Sequence, residues 1–291
     1  MRTLLLVMTP MLLGAADLTI DHVTAAGRDL KTMQARLASI GLRSEYGGPH
    51  SNHATEMALT SFPDGSYLEL IAIQPNADAK ALAAHYWSRQ MQVDAGPSAW
   101  AVRAKDLGPE VTRVKKTGIA VSEPVRSGRQ RPDGVRLEWE SANIGTEPNG
   151  TFFPFLIHDF TPRDQRAFPS GKPVTQDFSG VARVVIAVRD LQASVARYRK
   201  AFALPAPAEQ DDPAFGARLA VFQGTPAVLA APLGSASWLT ARLNDVGEGP
   251  CAFILRSGNP NAYQAESQSR WFGTPISWFD AAKLGWRLGW E

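Results

Sequence analysis

The stretch Val181-Ala-Arg-Val-Val-Ile-Ala-Val188, followed by Asp190-Leu191, combines an apolar run with a helix-start signal. Its apolar run predicts a buried strand. Asp190 is a residue type that caps the first turn of a helix, because its side chain accepts hydrogen bonds from free backbone amides. Leu191, Val195 and Tyr198 then recur at helical spacing, which predicts an amphipathic helix that packs on a sheet.

The same order of apolar strand, Asp-Leu pair and helix occurs twice more, at residues 18–30 and 98–107. Short strand-like runs follow each helix, so the sequence predicts a unit of one strand, one helix and three strands that is repeated along the chain. The expected fold class is α+β. Tandem βαβββ modules are expected to form curled, mostly antiparallel sheets with helices on the convex side.

A fourth, degraded module is predicted from Cys251 onward, with a helix at 259–270 and strands at 276–279 and 284–290. Four of the eight tryptophans crowd this region, at Trp271, Trp278, Trp286 and Trp290. They either line an apolar pocket or fill the core of a small module. The lone cysteine cannot form an intramolecular disulfide, and its apolar surroundings favour a small buried hydrophobe over a nucleophile.

The domain organisation follows from the repeat. Residues 17–165 are predicted to form modules 1 and 2, and residues 178–291 module 3 and the degraded module 4. The segment 166–177 contains prolines and charges, and is predicted to be the linker between them.

Residues 1–16 have the features of a signal peptide: a positive charge at Arg2, an apolar stretch from Leu4 to Leu13, and small residues before the predicted cleavage after Ala16. The alternative is an N-terminal strand or buried helix, which Pro10 would interrupt. The predicted location is therefore periplasmic or extracellular, with no membrane association after cleavage.

The composition excludes other partners. The chain has 291 residues, of which 44% are hydrophobic and 20% charged, with 30 Lys and Arg against 28 Asp and Glu. These charges are interspersed and no dense basic run is present, so nucleic-acid binding is not expected. Phosphate-binding Gly-rich loops and the His-Glu-x-x-His zinc motif are absent from the sequence. A small molecule is the expected partner, and a homodimer is possible.

Several short pieces of the sequence occur in an order that resembles a known family. They are Asp21-His22-Val23, Gly47-Gly48-Pro49-His50, Asp64–Ile71, Arg131–Gly134 and Pro154–Ile157. Their order and spacing resemble the glyoxalase-like branch of the vicinal-oxygen-chelate superfamily, which includes glyoxalases, bleomycin- and fosfomycin-resistance proteins, extradiol dioxygenases and methylmalonyl-CoA epimerases. The resemblance covers residues 17–160 well and residues 180–233 as a generic module.

This resemblance implies a cup formed by two paired modules, with divalent-metal ligands on the first and last strand of each. The matching positions are His22 and Glu69, and Glu69 is also the candidate catalytic group. Independently of the family, an unpaired carboxylate within an apolar strand is costly unless a metal or cation offsets it. Imidazole and carboxylate ligands suit Zn, Ni, Fe or Mn. His50, His53 and His158 are candidates for a third ligand. As alternatives, His22 is a core histidine hydrogen-bonded to a backbone group and Glu69 points outward from an edge strand.

Other positions depart from the family pattern. In module 2, Ala99 stands where His22 is expected, beside Trp100, and about Leu156 stands where Glu69 is expected. His158 lies two residues further on and would share the face of Leu156. In module 3, Arg183 replaces the histidine, and an arginine there would bind a carboxylate or phosphate or pair with an acidic neighbour. Trp100 and Arg183 are therefore assigned to substrate binding.

Two functions remain open. The first is divalent-metal-assisted isomerase or lyase chemistry on a small oxygen-rich molecule. The second is metal-free binding of a small ligand in the same cup.

Overall fold

The computed structural model describes residues 16–259 and 261–291. The predicted signal peptide therefore lies outside the described residues, apart from Ala16. The first half contains β1 (Ile20–Gly27), α1 (Leu30–Ser39), β2 (Glu45–Pro49), β3 (Thr55–Ser61), β4 (Tyr67–Ile73), α2 (Ala79–Ala84), α3 (Ser88–Gln92), β5 (Gly96–Arg103), α4 (Leu107–Lys116), β6 (Val125–Gln130), β7 (Arg136–Ala142), β8 (Phe155–Asp159) and α5 (Arg163–Ala167).

The second half repeats this order with small changes. It contains β9 (Phe178–Ala187), α6 (Leu191–Phe202), β10 (Ala208–Asp212), β11 (Ala217–Val221), β12 (Ala227–Pro232), α7 (Trp238–Val246), β13 (Gly249–Ser257), β14 (Ser267–Trp271), β15 (Thr274–Trp278), α8 (Ala281–Leu284) and β16 (Arg287–Trp290). In the described part of the chain, no helix is both long and apolar enough to cross a bilayer.

The strands form two curled sheets of eight strands each, with matching topology. The first has the order β2-β3-β4-β1-β5-β8-β7-β6 and the second the order β10-β11-β12-β9-β13-β16-β15-β14. In each sheet two modules meet through their first strands, which pair antiparallel as β1 with β5 and β9 with β13. The first strand of each module pairs in parallel with its last, as β1 does with β4. The predicted α+β fold of tandem modules is confirmed.

The three Asp-Leu pairs begin helices as predicted. The side chain of Asp29 accepts a hydrogen bond from the Thr32 amide at 2.7 Å, and Asp106 and Asp190 cap α4 and α6 in the same way. These helices pack on the convex side, where Leu37, Val111, Tyr198 and their neighbours join one core cluster shared by both sheets.

The predicted helix at 259–270 is wrong. Its described residues form turns and bends followed by strand β14, which pairs antiparallel with β15. The two strands are joined by Phe272 and Gly273, whose φ angles of 51° and 88° are both positive. Two positive φ angles suit a tight hairpin turn, which pairs the strands on either side of it. The segment before the turn therefore forms a strand of this hairpin and not a helix. The predicted strands at 276–279 and 284–290 overlap β15 and β16.

The concave face of the second sheet, the second cup, is filled by its own side chains. Phe215, Trp271 and Trp278 are buried there, and the Trp271 indole N–H donates to Asp212 Oδ2 at 2.6 Å. Trp271 and Trp278 therefore fill a core, as the second alternative predicted. Cys251 is packed in the same cluster, and burial raises the pKa of its thiol to about 12, so it is uncharged at neutral pH.

Candidate functional site

The concave face of the first sheet, the first cup, holds a cavity of about 530 Å³. That volume lies within the range of small-molecule sites. Its walls come from β1, β4, β6, β7 and β8 and from the segment between α2 and α3. The two halves of the chain share a topology, but the second cup is packed with tryptophan and the first is open.

His22 and Glu69 both face this cavity. Across the parallel pair β1–β4, His22 lies opposite Tyr67 and Thr24 lies opposite Glu69. Residues two apart on a strand point to the same face, so the side chains of both pairs share the concave side. His22 and Glu69 are 5% and 6% exposed and line the same cavity.

Glu69 has few polar neighbours for a buried carboxylate. Its Oε2 accepts a hydrogen bond from the Thr24 hydroxyl at 2.8 Å, and its Oε1 lies 3.7 Å from His50 Nε2. Across residues 16–259 and 261–291, no Lys or Arg nitrogen lies within 4 Å of it. A carboxylate that is buried with so little compensation is available to an incoming ligand or proton.

Two histidines beside Glu69 are held in the neutral form. Burial lowers the pKa of His50, with Arg129 and His22 adding to that effect and Glu69 opposing it. Burial, together with His50, lowers the pKa of His85 to about 4, against the opposing charge of Glu69. His50 Nδ1 lies 2.8 Å from the Thr55 hydroxyl, which fixes the ring with Nε2 toward Glu69. Neutral imidazoles bring no positive charge to Glu69 near pH 7.

His22 is oriented by a buried carboxylate. Its Nδ1 lies 2.6 Å from Asp21 Oδ1, and its ring stacks on Tyr67 with centroids 4.9 Å apart. A neutral ring that donates Nδ1–H to Asp21 keeps Nε2 free to accept a hydrogen bond or bind a metal. His22 is therefore hydrogen-bonded to the side chain of Asp21, and not to a backbone group, and it also lines the cavity.

Asp21 is held by two arginines from α5. Arg166 Nη2 lies 2.7 Å from Asp21 Oδ2, and Arg163 also contacts Asp21, through Nη1. Arg166 further donates to the Tyr67 hydroxyl at 2.7 Å and to Asp159. Burial alone would raise the pKa of Asp21, but Arg166 and Arg163 outweigh it and hold that pKa well below its usual range. This network fixes the base of the site beneath His22.

The other wall of the cavity is apolar. Trp87, Trp139 and Phe155 line it together with Ile71 and Ile157. The Trp87 indole N–H donates to the Asn149 carbonyl at 2.9 Å, which anchors the segment between α2 and α3 over the cavity. The site therefore offers a polar side at Glu69 and an aromatic side for the body of a ligand.

Four residues assigned to the site from the sequence lie outside the cavity. His158 does share a face with Leu156, but in the β5–β8 register that face packs in the convex core, while Phe155 and Ile157 face the cup. His158 Nδ1 instead lies 3.1 Å from the Ala104 carbonyl. His53 is exposed in the turn before β3.

Trp100 and Arg183 are also elsewhere. Trp100 is fully buried on the convex face of β5, and its indole N–H has no hydrogen-bond partner among the described residues. Arg183 Nε lies 2.6 Å from Glu291 Oε2 in the second half of the chain, beside a separate cavity of about 460 Å³. This contact is the ion pair with an acidic neighbour that was the alternative to ligand binding by Arg183.

The residues present do not make up a catalytic metal centre of the usual kind. His22, with its Asp21 partner, and the pair His50 and Glu69 are ligand types that suit a first-row ion. A catalytic zinc-type site needs three protein ligands. Within the described segments, no group of three or more His, Cys, Asp or Glu side chains is placed to hold one ion.

Comparison with protein families gives one clear match. The model of the glyoxalase-like domain matches residues 20–202, which is more than half of the chain. The chain belongs to the glyoxalase-like domain family. The match includes all of the first sheet and the start of the second, so the open cup lies in the part that defines the family. A search of curated proteins finds no significant match.

Solved structures support the same fold. A hypothetical protein from Staphylococcus aureus matches with a TM-score of 0.65 and 15% identity, over 94% of this chain and 98% of that one. A mutant of 4-hydroxymandelate synthase from Streptomyces coelicolor matches with a TM-score of 0.53 and 14% identity, over 83% of this chain and 71% of that one. The predicted membership of the glyoxalase-like family is confirmed by the family model.

Three parts of the site were not predicted from the sequence: the arginines of α5, Arg129 on β6, and the segment around His85 and Trp87. One signal for the first was present. Arg163 and Arg166 are three residues apart, the spacing that places two side chains on one helix face. Asp21, the acidic neighbour of His22 in the sequence, carries the negative charge that these two arginines contact.

Proposed function

We propose that the first cup of this glyoxalase-like protein binds a small oxygen-rich molecule and that Glu69 transfers a proton to or from a carbon beside a carbonyl group. Such a step belongs to isomerase or lyase chemistry. The observation that carries the proposal is the contrast between two buried carboxylates. Two arginines neutralise Asp21, whereas Glu69 faces the cavity with one hydroxyl donor and a neutral imidazole.

Each neighbour of Glu69 has a part in this proposal. The Thr24 hydroxyl holds Oε2, which leaves Oε1 to meet the substrate. His50, fixed through Thr55, offers Nε2 beside that oxygen as a second proton carrier. The apolar side chains of the aromatic wall lower the local dielectric, which strengthens the interactions of a general base with its proton.

The alternative is a protein that binds the ligand in the same cup without converting it. The absence of a three-ligand metal group in the described residues favours this alternative over a metal-assisted enzyme. Elemental analysis of the purified protein and of His22→Ala distinguishes a metal-assisted enzyme from a metal-free protein. A stoichiometric first-row metal that His22→Ala loses would assign His22 as a ligand and support the metal-assisted form.

The proposed proton transfer predicts isotope exchange. We expect the protein, incubated in D₂O with a library of small oxo and hydroxy acids, to introduce deuterium at one carbon of a subset of compounds. Exchange follows because a base that removes a carbon-bound proton returns a solvent deuteron when the step reverses. Mass spectrometry detects the label, and heat-denatured protein is the control. Compounds that bind without acquiring label would instead establish the binding protein.

A further inference from the structure

Arg129 is a buried cation without an acidic partner. It lies on β6, lines the first cup, and is 7% exposed. Its Nη1 donates to the Gly47 carbonyl at 2.6 Å. No carboxylate oxygen of the described residues lies within 4 Å of its guanidinium. One backbone carbonyl does not neutralise a charge taken out of water.

The other arginines of this cavity differ from Arg129 on this point. Arg126 Nη2 lies 2.8 Å from Glu138 Oε2, and Arg166 Nη2 lies 2.7 Å from Asp21 Oδ2. Arg126 also stacks on Phe160, 4.5 Å from the ring centroid. Both therefore have structural counter-ions, and Arg129 is left as the cation available to a ligand.

The charged groups around Arg129 leave its guanidinium available to an anionic ligand. Burial lowers its pKa, while Glu69 acts in the opposite direction from beyond 4 Å. Arg166 and Arg131 add positive charge to the same region, and each is engaged by its own carboxylate. A planar anion at Arg129 would supply the missing acceptors, because the guanidinium fork matches two oxygens in parallel.

We propose that Arg129 binds the anionic end of a small organic acid whose apolar body lies along Trp87, Trp139 and Phe155. This inference rests on the proposed function of the first cup and narrows its ligand to aromatic or otherwise apolar anions with a carboxylate or similar group. The polar and aromatic sides of the cavity then bind the two ends of one molecule, and its middle faces Glu69.

Two fluorescent probes that differ by one anionic group test this inference. 1-Anilinonaphthalene-8-sulfonate carries a sulfonate, and N-phenyl-1-naphthylamine is its neutral counterpart with the same rings. We expect the wild-type protein to bind the sulfonate more tightly. Arg129→Gln is expected to weaken sulfonate binding by roughly 10- to 100-fold, the strength of hydrogen bonds to a charged group. Binding of the neutral probe is expected to stay within about twofold of wild type.

Matched variants make the outcome decisive. Arg129→Lys keeps the charge and is expected to retain a preference for the sulfonate, whereas Arg126→Gln, with its cation already paired, is expected to change neither affinity much. Thermal unfolding confirms that each variant is folded. Equal affinities for both probes in the wild type, or unchanged sulfonate affinity in Arg129→Gln, would overturn the inference. If the wild-type protein shows no deuterium exchange but Arg129→Gln still weakens sulfonate binding, only the role of Glu69 is rejected.

Discussion

Replacement of Arg166 by methionine is expected to lower the free energy of unfolding by about 3–5 kcal/mol, the range for breaking a buried ion pair. Arg166 is 4% exposed and contacts three groups of the network: Asp21, Asp159 and the Tyr67 hydroxyl. Methionine restores much of the apolar volume but none of the charge. Asp21 would then depend on Arg163, which is more exposed than Arg166.

Urea denaturation of wild type and variants measures this effect. Arg136→Met is the control, because Arg136 pairs with Glu138 at the surface with its side chain 80% exposed, and it is expected to change stability little. The double variant Asp21→Asn with Arg166→Met is expected to be less destabilised than the sum of the single variants, since it removes both charges together. Additive losses would contradict a coupled buried network.

The same network predicts acid sensitivity. Folding lowers the pKa of Asp21, because Arg166 and Arg163 outweigh the effect of burial. A carboxyl of this kind contributes stability that is fully present above its unfolded pKa of about 3.9 and is lost as pH falls toward the folded value. Unfolding free energies measured from about pH 6 down to pH 2 are therefore expected to fall more steeply for wild type than for Asp21→Asn below about pH 4. Parallel curves would show that Asp21 is not stabilised by its partners.

Glu69→Gln is expected to reduce the rate of proton exchange or turnover by about 10²–10⁴-fold, the usual contribution of a general base. Glutamine keeps the size of the side chain and accepts the Thr24 hydrogen bond, but cannot take up a proton. Ligand affinity is expected to change little, so the loss falls on kcat and not on KM.

The exchange rate of a compound labelled by the wild type provides the measurement. Glu56→Gln is the matched control, because Glu56 lies on β3, outside the cavity, and bonds to the Tyr46 hydroxyl at 3.0 Å. It is expected to retain the wild-type rate. Full activity in Glu69→Gln would remove Glu69 from the chemistry and leave His50 as the candidate base.

The sequence predicted the features that depend on local rules. Asp-Leu pairs at 29, 106 and 190 mark helix starts because capping involves only adjacent residues. Strand alternation predicted the faces of His22 and Glu69. The repeated module predicted that their strands, β1 and β4, lie side by side. The fourth module was harder to predict, since turns, bends and the strand β14 stand where a helix was expected.

Features set by long-range register were not predictable. His158 was expected in the cup, but whether Leu156 or Phe155 faces the cavity depends on how β8 pairs with β5. A shift of one residue exchanges the two faces of a strand. Likewise, the contacts of Arg166 with Asp21 join residues 145 positions apart, and although the spacing of Arg163 and Arg166 indicates one helix face, it does not identify Asp21 as the partner.

A crystal structure of the protein with a bound organic acid shows directly whether the first cup is the ligand site. The expected result is a ligand in the first cup, with its anionic group on Arg129 and its reacting carbon about 3–3.5 Å from the Glu69 carboxylate, the separation of a near-attack geometry. Binding in the separate cavity beside Arg183, or in the second half of the chain with the first cup empty, would contradict the account.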